Sequence, residues 1–166
     1  MLGLLAEGPA HPFALARQLR SDGPLGRVFT VRRPLVYRAV DRLRIDGLIG
    51  RRRTEAGAAG PERTVYEITS PGNDALAAWL QEPVEHIREF RLALLLKITL
   101  LRRAGRSIAD LVSAQRTVLA PTLDRLASLG ADADDVDLWR HHNAVAAAAF
   151  LEEVERWVPA GTPDQA

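Results

Sequence analysis

The chain has no cysteine among its 166 residues. Disulfides, thiolate metal sites and cysteine nucleophiles are therefore excluded, and nothing points to export. It has one lysine, Lys97, and every other basic residue is arginine. Guanidinium suits phosphate and guanine edges. The acidic part of the chain shows the same preference, however, so the base composition of the gene explains the choice. Long apolar runs are also missing. Residues 92–98, interrupted by Lys97, are far too few to span a bilayer. The opening Met-Leu-Gly-Leu-Leu-Ala lacks a basic leader and a long apolar stretch, so no signal peptide is expected and the expected location is the cytoplasm. There is no internal repeat. The four histidines do not make a metal set. His11 stands at a helix start, where capping or packing is the default, and His86 is isolated. His141 and His142 are adjacent and point about 100° apart on a helix. No nucleophile elbow supports a hydrolytic triad. No metal, cofactor or enzymatic activity is expected.

What is present is enough apolar material for a core and an uneven charge. Hydrophobic residues make up 47% of the chain, which excludes a mostly disordered polypeptide. The net charge of +1 conceals two opposed halves. Residues 1–73 carry twelve arginines against seven acids, a net +5, and the remainder carries ten bases against fourteen acids, a net −4. Only the first half is suited to face a polyanion.

The punctuation of the N-terminal half predicts three helices and a hairpin. Leu2, Leu4 and Leu5 open a short helix that Gly8-Pro9 ends. Pro12 suits the first position of the next helix, which shows Phe13, Leu15, Ala16 and Leu19 and closes at Ser21-Asp22-Gly23-Pro24. A third helix begins at Pro34. Its inward face reads Val36, Ala39, Val40 and Leu43, its outward face Arg38, Asp41, Arg42 and Ile45, and Gly47 fits a left-handed C-cap. Residues 49–54 and 63–69 read as the strands of a hairpin with a Gly- and Ala-rich tip. Three helices followed by a hairpin is the order of a winged helix-turn-helix, with TVRRPLVYRAVDRLRIDGLI carrying the recognition helix.

The second half reads as all helix. Ser70 is the expected N-cap of a fourth helix, with Pro71 behind it. One continuous helix, apolar nearly all round, is expected from Ile87 to Ala104. Ser107 opens another that contains Pro121, and a last helix runs from about Asp137 to Val158. The expected fold is mainly α with a small β-hairpin. Residues 1–73 form a winged helix DNA-binding domain, 74–158 an all-helical dimerisation and effector domain, and 159–166 a disordered tail.

The residues of the DNA-binding half sort by geometry. Arg32 and Arg33 stand at the start of the recognition helix, where free N–H groups and the helix dipole favour a phosphate. Arg38 and Arg42 lie four apart on the outward face and are the candidates for guanine edges. The plainer alternative is a solvated face paired with Asp41 and Asp46. Arg51, Arg52 and Arg53 alternate on a strand, so at most two face a duplex together. Arg51 and Arg53 are taken as that pair, with Arg52 left to Glu67 or the sheet edge. Arg63 is placed at the wing tip for a minor-groove or phosphate contact.

Three segments resemble the PadR family of bacterial transcription regulators: LGLLAEGPAHPFALARQL at residues 2–19, PLVYRAVDRLRIDGLI, and RTVYEITSPG. FRLALLLKITLLRRAG also looks like the first C-terminal helix of the longer members. The chain departs from the family at His11-Pro12-Phe13, where His-Gly-Tyr is usual. Its opening helix is short, which leaves room for a start upstream of Met1. The resemblance implies a homodimeric, ligand-responsive repressor, associated with the nucleoid when bound to DNA. It also implies a phosphate hydrogen bond from Tyr37. Trp139, Ala146, Phe150 and Trp157 share one helix face by their spacing. Chain-internal packing is one use of that stripe, and the resemblance favours a partner chain. A two-fold dimer would set two recognition helices about 34 Å apart on a palindromic operator. Trp79, Phe90 and Trp139 are the candidate lining of a pocket for a small aromatic effector, although core packing explains each of them as well. The alternatives are a winged helix that binds protein without binding DNA, and a small helical ligand-binding enzyme.

Overall fold

The computed structural model describes residues 1–57, 60–127 and 133–157. The hairpin tip at 58–59 and the tail at 159–166 lie outside the described residues. The chain divides into two compact units, Met1–Leu80 and Gln81–Ala166. The fourth helix therefore goes with the first unit, past the boundary expected at residue 73.

In the first unit, α1 (Leu2–Ala6) contributes the buried Leu4 and Leu5. Helix α2 (Pro12–Gln18) starts on proline, and the His11 ring caps it, Nδ1 accepting from the Ala14 N–H at 3.0 Å. The chain then doubles back through a tight turn, with Leu25 buried. The Leu25 N–H donates to the Gln18 carbonyl at 3.0 Å, and the Val31 N–H donates to that of Leu19 at 2.9 Å. Only glycine fits at position 26, where a Cβ would stand 1.7 Å from the Arg20 carbonyl oxygen. Helix α3 (Arg33–Ile45) begins one residue before Pro34. Val36 and Val40 are 0% and 1% exposed, which fixes its inward face. Gly47 (φ 72°) ends it in a Schellman motif, with the Leu48 N–H on the Leu43 carbonyl at 2.9 Å and the Gly47 N–H on that of Arg44 at 3.2 Å.

Strands β1 (Ile49–Gly57) and β2 (Gly60–Ile68) pair antiparallel from Ile49 opposite Ile68 to Gly57 opposite Gly60. Ala10 adds a one-residue bridge to Tyr66 through two 3.0 Å hydrogen bonds, a contact the sequence pattern did not announce. Helix α4 (Ser70–Gln81) is capped by Thr69, not Ser70. The Thr69 hydroxyl accepts from the Gly72 N–H at 3.1 Å and donates to the Gly47 carbonyl at 2.8 Å. One hydroxyl thus joins the end of α3 to the start of α4. Thr69→Ala should cost about 1–2 kcal/mol in urea melts, and Thr69→Ser should recover most of it.

The second unit does not contain the single helix expected over 87–104. Residues Ile87–Glu89 form a 3-10 turn and Phe90–Leu94 a π segment, and only then does α5 (Leu95–Arg103) begin. The Glu89 carboxylate accepts from the His86 N–H at 3.0 Å, closing the first of these turns. Helix α6 (Ala109–Ala127) passes through Pro121, and α7 (Asp135–Arg156) starts at Asp134, whose carboxylate accepts from the N–H groups of Val136 and Asp137, each at 2.9 Å. The second unit's buried apolar residues include Leu94, Ile98 and Leu101, Leu111, Val112 and Leu119 of α6, and Ala144, Ala147, Leu151 and Val154 of α7, and α6 packs against α7.

Polar groups pin this core. The buried Gln115 amide makes both backbone hydrogen bonds of Val84, at 2.8 and 2.9 Å. Arg102 donates to the carbonyls of Val154 and Trp157 at 2.6 and 2.8 Å, and Arg116 to that of Leu151 at 3.0 Å. Cations thus hold the negative end of α7. Lys97, 2% exposed, donates to the Glu82 carbonyl. Burial pushes its ammonium below the usual 10.5, and Glu82 and Glu89 oppose that shift. Between the folded and unfolded values the unfolded chain holds a proton that the folded chain has released. Stability should therefore rise with pH across that window. Lys97→Met should lack this alkaline gain when urea midpoints are compared at neutral and alkaline pH.

Candidate nucleic-acid interface

Helix α3 presents Arg38 and Arg42 on the side opposite the buried Val36 and Val40. Arg32 caps the helix through its backbone, and its exposed side chain makes no cap hydrogen bond. Arg38 is exposed and has no ion pair among the described residues. Arg42 is also exposed, but its Nε sits 2.9 Å from the Asp46 carboxylate one turn on. The two candidates for reading bases are therefore unequal: Arg38 stands open, whereas Arg42 must exchange Asp46 for another acceptor.

The hairpin changes the expected arrangement of its arginines. A bulge between Arg51 and Arg53 places Arg51 opposite Tyr66 and Arg53 opposite the next residue, Val65. Strict alternation would have put Arg51 and Arg53 on one face. The extra residue at Arg52 turns them to opposite faces. Arg52 pairs with Glu67 at 3.1 Å, as anticipated, and Arg53 pairs with Glu55 at 2.6 Å. Arg51 has no ion pair among the described residues. Arg63 is not a tip residue. It lies opposite Glu55 on β2, and its guanidinium reaches over the Phe13 ring, 5.9 Å from the centroid.

Arg33 meets the same ring from the other side of the sequence. Its guanidinium carbon is 5.0 Å from the Phe13 centroid and 5.5 Å from that of Tyr37, and it donates to the Tyr37 hydroxyl at 3.3 Å. These residues border a cleft of about 490 Å³ that Asp41 and Glu62 also line. The sequence reading singled out Arg33, Tyr37 and Arg63 but passed over Phe13. The signal available was an apolar residue on the first turn of α2 that the core does not need.

In the second unit, Trp139 is 71% and Trp157 61% exposed, Ala146 is exposed and Phe150 half-buried. The buried face of α7 is instead Ala144, Ala147, Leu151 and Val154, about a quarter turn round the helix. The helix therefore has two apolar faces, and the chain's own core uses only one. Phe90 and Trp139 border a cleft of about 470 Å³ together with Gln115 and Arg140. Trp79 lies half-buried on α4, in the first unit. Among the described residues no group of three or more histidines and acids could hold a metal, and no helix is long and apolar enough to cross a membrane.

Three helices, a hairpin and a following helix make the first unit a winged helix domain, and the second is an all-helical region. Residues 1–78 match the Transcriptional regulator PadR-like family. Over that N-terminal unit the chain is similar to the PadR-like family of transcriptional regulators. None of the curated protein sequences matches significantly. Among solved structures, Bacillus subtilis PadR in complex with operator DNA is similar at 19% identity and TM-score 0.48, over 93% of this chain and 94% of that one. The smu.1604c protein of Streptococcus mutans UA159 is similar at 17% identity and TM-score 0.44, over 92% and 94%. The PadR-like regulator BC1756 of Bacillus cereus is similar at 17% identity and TM-score 0.40, over 93% and 89%.

Proposed function

We propose that this protein is a ligand-responsive, homodimeric repressor that binds a palindromic operator in duplex DNA. The observation that carries the reading is the exposed arginine face of α3, held outward by the buried Val36 and Val40 in a PadR-like winged helix. Arg38 reads a base edge, with Arg42 joining it once Asp46 is displaced. Arg32, Arg33, Tyr37 and Arg63 are positioning contacts to phosphates, and Arg51 and Arg53, turned to opposite faces of the hairpin, supply at most one more between them. Most of the affinity then comes from the backbone and falls steeply with salt.

The stripe of Trp139, Ala146, Phe150 and Trp157, exposed except at the half-buried Phe150, serves a second copy of the chain. The cleft bordered by Phe90 and Trp139 takes a small aromatic effector. Trp139 belongs to both, so a ligand there shifts the population of dimer geometries and with it the spacing of the two recognition helices.

A mobility-shift assay on the protein's own upstream region, run at two salt concentrations, tests the reading. Specific binding that weakens with salt is expected, and no specific binding at low salt would overturn it in favour of a protein-interaction module. Within that assay, Arg38→Ala should cost about 1–3 kcal/mol and relax preference at one base position. Arg32→Ala should weaken all sequences about equally. Identical behaviour of the two variants would sink the division of roles.

A further inference from the structure

Phe13 is 39% exposed on the first turn of α2, yet two guanidiniums from different elements converge on it. Arg33 of α3 stands 5.0 Å and Arg63 of β2 stands 5.9 Å from its ring centroid. Bringing two like charges to one small ring is unfavourable unless something negative joins them. Asp41 and Glu62 line the same cleft, but among the described residues neither makes an ion pair with either arginine. The ring itself supplies part of the compensation, since its face attracts a cation. Tyr37 adds a second face and a hydrogen bond for Arg33. Beyond the Tyr37 hydroxyl, neither guanidinium has an anionic acceptor among the described residues. A phosphate, with several oxygens and full negative charge, suits two guanidiniums that line one cleft.

We propose that Phe13 is a positioning residue that gathers Arg33 and Arg63 onto one and the same backbone phosphate of the DNA. This inference rests on the DNA-binding reading. It adds that the hairpin and α3 act there as a single clamp, and that an apolar residue outside both elements sets its geometry.

The test uses the full-length protein and a duplex from its own upstream region. Phe13→Leu keeps apolar volume but removes the ring face, and should weaken binding about 5- to 30-fold with an unchanged melting temperature. Phe13→Tyr should bind like the parent chain. Arg33→Ala and Arg63→Ala should each weaken binding. The salt slope adds an independent reading. If both arginines serve one phosphate, the double variant loses about one unit of slope, and if they serve two it loses about two. The slope test stands even if Phe13→Leu proves unstable. Parent protein that binds while Phe13→Leu binds equally, or a loss of two slope units, overturns this inference alone. Parent protein that binds no duplex overturns the DNA-binding reading and this inference with it.

Discussion

Gly26→Ala should strongly destabilise the first unit. The Cβ it introduces would lie 1.7 Å from the Arg20 carbonyl oxygen and 2.7 Å from its carbonyl carbon. Both are backbone atoms in the turn that carries the chain from α2 towards α3, so no side-chain rotation relieves the overlap. Overpacking that forces backbone movement costs about 3 kcal/mol or more. For a unit of this size that lowers the melting temperature by roughly 12 °C or more. The same substitution at Gly47, where a Cβ meets nothing within 4 Å, is strained by φ alone. Gly47→Ala should therefore cost only about 1 kcal/mol. Calorimetry of the two variants side by side checks the contrast, and similar melting temperatures would refute it.

The second large effect concerns assembly. Trp139 and Ala146 are exposed in the single chain, so Trp139→Glu with Ala146→Glu leaves the core of the second unit untouched. On the dimer proposal the double variant should sediment as a monomer. It should also lose about 100- to 10,000-fold in affinity for a complete two-half-site operator, because the second half-site is no longer held at high effective concentration. Affinity for an isolated half-site should not change. A variant that remains dimeric, or that loses half-site and full-site binding alike, would remove the stripe from the interface.

The parts of the fold written in short-range signals were legible. Pro12 after His11, Pro34 after paired arginines, and Gly47 before Leu48 each mark a helix end by local backbone chemistry, and the structure differs there by a residue at most. The fourth helix was misassigned its cap because Ser70 and Thr69 are both competent hydroxyls. The choice of Thr69 comes from the Gly47 carbonyl, 22 residues away in sequence. The bulge at Arg52 was invisible for a related reason. Three consecutive arginines contain no signal that one of them is unpaired in the ladder. The helix expected from 87 to 104 contains no glycine or proline, and nothing in its pattern distinguishes an α turn from a 3-10 or π turn.

The candidate sites show the same division. The outward placement of Arg38 and Arg42 follows from helix periodicity. The convergence of Arg33 and Arg63 on Phe13 joins three segments of chain, so no window of sequence contains it. On α7 the aromatic stripe drew attention because tryptophans are conspicuous, while the face that the core uses is mostly small: Ala144, Ala147, Leu151 and Val154.

Lys97 offers the experimenter something unrelated to its role in the core. It is the chain's only side-chain amine, and it is closed to solvent. An amine-reactive reagent added to the folded protein therefore cannot acylate any side chain until the second unit opens. The rate at which Lys97 acquires the label becomes a clock for that opening, read by mass spectrometry at one residue, with and without a candidate effector present.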